Sequence, residues 1–142
     1  MVLQLDLSNN ELCGLDSCGR GTYTAEGIAA IADALRVNGA LTRVDVRHNN
    51  ITGDGAAHLA AAVLSNLKIE MFNEIPIKEM RADTFTELDL KGKSIGVEGG
   101  MVVAGLIPVM GAVDAQSVGN RCDALCSVSS SSTIIDAAQL IV

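Results

Sequence analysis

The sequence predicts an α/β fold in which strand and helix alternate as a repeated unit. Two observations carry that expectation. One apolar frame, L-x-x-L-x-L-x-x-N-x-L, recurs along the chain. Each clear occurrence is also followed by a glycine-led segment with apolar residues at helical spacing. Composition sets the scale. The 142 residues amount to about one domain. At 49% hydrophobic but 2% aromatic, the core must be built from Leu, Ile, Val, Ala and Met.

The first frame places Val2, Leu5, Leu7, Asn10 and Leu12, predicting a strand over Val2–Leu7. Gly27, Ile31 and Leu35 then predict a helix near 25–35, with Thr24 as its N-cap. The second frame is the best match: Leu41, Val44, Val46, Asn49 and Ile51 give a strand over Leu41–Val46. Gly55, Leu59 and Val63 give a helix near 55–64, capped by Asp54. Leu64, Leu67 and Ile69 suggest a third strand over Leu64–Ile69 that lacks a full helix of its own. Phe85, Leu88, Leu90, Lys93 and Ile95 give a fourth strand over Phe85–Leu90, and Gly99, Val103 and Ile107 a helix near 97–107. A frame at Val113 fits badly, because Gln116 falls on a core position.

Charge supports the third strand. In register, Lys68 would lie among Asp6, Asp45 and Asp89, and Glu70 between Arg47 and Lys91. Strands stand about 4.8 Å apart, so both rows would alternate in sign.

These frames resemble leucine-rich repeats, and the helical spacers resemble the ribonuclease-inhibitor-like subfamily, whose unit is about 28 residues. Thr86–Gly99 and Phe72–Lys78 are similar to repeat proteins of unicellular algae and other protists. The resemblance implies a solenoid with a curved parallel sheet on the concave side and helices on the convex side. It covers roughly residues 1–120; the repeat domain is expected over 1–126, with repeats starting near 2, 41, 64, 85 and 113, followed by a serine-rich linker and short segment over 127–142. Against that unit, the first step carries about eleven inserted residues within Cys13–Tyr23.

The family's role implies a protein-binding module rather than an enzyme. A net charge of −7 argues against nucleic acid or an anionic membrane as partner. The longest uncharged stretch, Gly99–Val113, is 15 residues and too short to cross a bilayer. Cys13, Cys18, Cys122 and Cys126 lack zinc-site spacing, so reduced thiols in an intracellular, cytoplasmic protein are expected, with no metal and no cofactor. No catalytic constellation appears: His48 has no nucleophile at matching spacing, and Gly19–Thr22 lacks the lysine of a phosphate loop.

Residues between the apolar positions of a strand point away from the core. Arg43, Asp45, Arg47, His48, Glu87, Asp89 and Lys91 are therefore the expected partner-binding residues, with Arg20 and Tyr23 bordering them from the insert. Three alternatives attach to this reading. The chain could regulate an enzyme in the manner of a GTPase-activating repeat protein. It could be a piece of a longer solenoid scaffold. It could also self-associate through the uncovered edge of its first strand.

Overall fold

The computed structural model describes residues 2–110. The frame at Val113, the division between residues 126 and 127, and Cys122 and Cys126 lie outside the described residues. In chain order the elements are β1 (Leu3–Asp6), α1 (Glu26–Val37), β2 (Leu41–Asp45), α2 (Gly53–Ser65), β3 (Met71–Phe72), α3 (Ile77–Ala82) and α4 (Gly96–Leu106), closed by a 3₁₀ turn over Ile107–Val109. The three strands form a parallel sheet in the order β1-β2-β3. The class is α/β. Helix α2 packs against α1 on one side and α4 on the other.

The register sets the offsets between the strands. Leu5 lies beside Val44, an offset of 39, and Val44 beside Phe72, an offset of 28. The third strand is therefore Met71–Phe72, not Leu64–Ile69. Leu64 belongs to the last turn of α2, Asn66 is that helix's C-cap, and Leu67 is 79% exposed. The three apolar residues match the strand template by coincidence of a helix end and a turn. Lys68 consequently falls outside the ladder. Phe85–Leu90, expected as a fourth strand, forms no ladder with the sheet. The chain between Asn73 and Ile95 instead makes α3, which buries Ile77 and Met80 beside Phe72 and Ile75. In α4 the buried face is Glu98, Gly99, Val102 and Leu106, one residue earlier than the pattern led by Gly99, and Ile107 is exposed.

The turns beyond the strand positions repeat closely. Asp6, Asp45 and Asp89 each accept the backbone N–H two residues on, from Ser8, Arg47 and Lys91 at 3.0, 3.0 and 2.8 Å. Each turn then takes the left-handed conformation twice: Asn9 and Glu11, His48 and Asn50, Gly92 and Ser94. The aspartates are thus turn-formers, each satisfying a donor that the strand has released.

Two buried asparagines join the layers. The Asn49 carbonyl oxygen accepts from the N–H groups of Asn10 and Leu12, and its amide donates to the carbonyls of Leu7 and Val46. Asn73 accepts from Val46 N–H and donates to Ile95 O and Glu98 Oε1. A continuous polar spine therefore runs beneath the strand ends, and every group in it has a partner.

Candidate protein-binding face

The sheet face turned away from the core carries a depression of about 230 Å³ lined by Gln4, Asp6, Arg43, Val44, Asp45, Arg47, Met71 and Glu74. Strand pairing dictates its rows. Arg43 of β2 lies between Gln4 and Met71, and Asp45 beside Asp6.

Arg47 is the hub. Its Nε reaches both Asp45 carboxylate oxygens at 3.0 Å, and its Nη2 reaches Oδ2 at 2.6 Å. On the other side Nη1 donates to the Lys93 carbonyl at 3.1 Å and to Glu74 Oε1 at 2.8 Å. Glu74 in turn meets Lys93 Nζ at 3.3 Å. The two alternating rows expected through Lys68 and Glu70 do not form, because those residues lie outside the sheet; Arg47, Glu74 and Lys93 make a separate ion-pair cluster. Lys93 and Arg47 hold the Glu74 carboxyl below its ordinary range, and Asp45 holds the Arg47 guanidinium above its own. Glu70 faces Lys78 at 2.7 Å, which lowers its titration further than nearby Arg43 does.

Arg43 differs from these. It is exposed at the centre of the depression, and among the described residues it has no carboxylate in ion-pair contact. Asp6 is likewise exposed and, among the described residues, makes no ion-pair contact; the Ser8 hydroxyl and N–H, and more weakly the charge of Arg47, keep its carboxyl ionised to lower pH.

The remaining expected residues are distributed. Glu87 and Asp89 line a second depression of about 270 Å³ that shares Met71 and Glu74 with the first. Lys91 lines neither, and His48 is an exposed turn residue. Arg20 sits at the tip of the insert, its Nε bonded to Asp16 at 2.9 Å. The Tyr23 hydroxyl donates to the Thr52 carbonyl at 2.6 Å, beside Gly55 at the start of α2, and Tyr23 lines neither depression. Gln4, Met71, Glu74 and Lys93 were absent from the expected set. The 28-residue offset between β2 and β3 carries Arg43 onto Met71 and would have brought Met71 into it; Glu74 falls opposite the core position Val46 and is not found by that offset.

No protein-family model, curated protein or solved structure matches the chain. The reading of this face rests on its own chemistry. Most of its side chains are charged or polar and largely satisfied by one another, with Val44 and Met71 between them. Among the described residues no group of three or more His, Cys, Asp or Glu is placed to hold a metal ion. The other histidine, His58, pairs with Asp33 at 2.9 Å on the helical side.

Proposed function

We propose that this chain is a protein-interaction module of the leucine-rich-repeat type, binding its partner through the open sheet face. The solenoid reading is supported by the 28-residue offset between β2 and β3 and by the turn geometry shared at Asp6, Asp45 and Asp89. Helices on one side leave one sheet face for a partner. Binding rather than catalysis is the role proposed, and with a net charge of −7 the partner is another protein and not a nucleic acid. Cys13 and Cys18 are free thiols, in keeping with a reducing, intracellular setting. No helix among the described residues is long and apolar enough to cross a membrane.

The observation that carries the proposal is Arg43. Its neighbours spend their charge on one another, so the guanidinium is the group left to meet a partner carboxylate with its planar fork. A partner loop offering one acid to Arg43 and one base to Asp6 would complement both open charges.

The test is a binding comparison after the partner has been captured by crosslinking in the source cells. Arg43→Glu should weaken binding at least tenfold, about 1.4 kcal/mol, with the melting temperature unchanged. Reversing Asp33 and Arg36 on the helical side should leave affinity within about twofold. Loss of binding only in the helical-side variant would place the functional face elsewhere.

A further inference from the structure

Phe85–Leu90 carries the pattern of a strand without a strand's hydrogen bonds. At the end of β2, the carbonyls of Asp45 and Arg47 accept from Leu7 N–H at 2.8 Å and Asn9 N–H at 3.1 Å. Asp89 and Lys91 occupy the same frame positions and close the same turn, with Lys91 N–H on Asp89 Oδ1 at 2.8 Å. Their carbonyls nevertheless accept from no group among the described residues, and Phe85, Thr86, Glu87 and Leu88 make no hydrogen bond there at all. Open backbone groups beside a sheet are a template for an added strand.

Glu87 and Asp89 line the depression of about 270 Å³ that this segment shares with Met71 and Glu74. Met71, Pro76, Phe85, Leu88 and Leu90, each half-buried, give it an apolar lining. Its acids are not balanced. Glu74 already holds Arg47 and Lys93, whereas Glu87 and Asp89 are exposed and make no ion pair among the described residues. An acidic occupant would be repelled, and a wholly apolar one would strip water from two unpaired carboxylates. A long basic side chain meets both demands, its methylene stem on the apolar lining and its cation at the carboxylates.

We infer that this depression takes an extended segment of the partner protein, which pairs its backbone with Glu87–Lys91 and seats one lysine or arginine side chain beside Glu87 and Asp89. The sheet face as the binding face, on which this assignment rests, then reads two signs at once. The two depressions share Met71 and Glu74, so a carboxylate facing Arg43 and a base facing Glu87 belong to one partner segment. Opposite charges at its two ends set its direction across the sheet.

The probe is the blocked peptide acetyl-Thr-Val-Arg-Val-Thr-amide, titrated into the isotope-labelled full chain and followed by nuclear magnetic resonance. Amide shifts should concentrate in residues 85–93. Replacing the peptide's arginine by norleucine or by glutamate, or methylating its backbone nitrogens, should each weaken binding at least about tenfold. Glu87→Lys should weaken the arginine peptide to a similar degree. Asp33→Lys, the same charge change on the helical side, should stay within about twofold, with circular dichroism confirming that both variants fold. An equal loss in the Asp33→Lys variant overturns the inference, because attraction would then be to net charge alone. Equal affinity for the norleucine or the methylated peptide overturns it too, as does an arginine peptide that leaves the spectrum unchanged up to its solubility limit. The natural partner takes no part in these titrations, so their failure leaves the Arg43→Glu comparison untouched, and a failed Arg43→Glu comparison leaves them standing.

Discussion

Arg81 does its work without a carboxylate. From α3 its guanidinium donates to the carbonyls of Val63, Leu64, Asn66 and Ile69, at 3.0 to 3.3 Å. Helix α2 has no basic residue in its own last turn, so this cation satisfies the orphan carbonyls and the negative end of the helix dipole from outside. Burial lowers the guanidinium's titration but leaves it charged. Arg81→Ala should cost about 2 kcal/mol in chemical unfolding. Arg81→Lys should recover little of it, since one ammonium cannot span four acceptors. Glu98 is the opposite case, a carboxyl 3% exposed that accepts from the Asn73 amide at 3.0 Å. Desolvation raises its titration above the usual glutamate value. A raised folded value means that folding takes up a proton. The stabilisation is complete below the unfolded value and is lost as pH rises through the folded one. Glu98→Gln should therefore gain stability relative to the parent as the medium goes from acid to neutral. Urea midpoints that track each other across that range would refute the assignment.

At the level of elements, the insert shows how a loop can be closed by two glycines. A side-chain carbon on Gly21 (φ +130°) would lie 2.2 Å from the Gly14 carbonyl oxygen, and one on Gly14 (φ +73°) 2.5 Å from that of Thr22. Neither backbone can move away without opening the Leu15–Gly21 bridge. Gly21→Ala should destabilise the fold by about 1–3 kcal/mol and expose the insert to proteolysis ahead of the remaining chain. The helices were the most legible elements. Small residues between apolar ones at helical spacing mark α1 and α2 to within a few residues of their ends. Strand β3 was not legible. Only two residues long, it offers no alternation to detect, and the stronger apolar match at Leu64, Leu67 and Ile69 lies upstream in a helix end. The face suffered in the same way: Arg43, Asp45 and Arg47 follow from local alternation, whereas Glu74 and Lys93 depend on how distant segments are brought together.

Across the whole molecule, charge follows the strand register. Lys68 is exposed and outside the ladder, so Lys68→Asp should shift stability by no more than about 0.5 kcal/mol. Arg47→Glu should be far worse. It would set a third acid against Asp45 and Glu74 in a site where Arg47 and Asp45 are 19% and 17% exposed, at a cost of about 2 kcal/mol. Thermal melts of the two variants at low salt distinguish these outcomes directly.

The insert also has a use that its sequence does not advertise. Its two ends are joined by a single backbone hydrogen bond, Thr24 N–H to Cys13 O at 3.0 Å. On the N-terminal side the chain is already fixed by Asn49, and on the C-terminal side α1 begins two residues later. Excising the eleven residues Gly14–Thr24 would reduce the first offset from 39 to the 28 of the second, leaving the sheet undisturbed. By the same geometry a longer peptide could be spliced there at the small entropic cost of a larger loop. The segment is a natural graft point: with the Gly14 and Gly21 closure and Tyr23 kept, the sequence between the two glycines can be exchanged while the layers on either side keep their spacing.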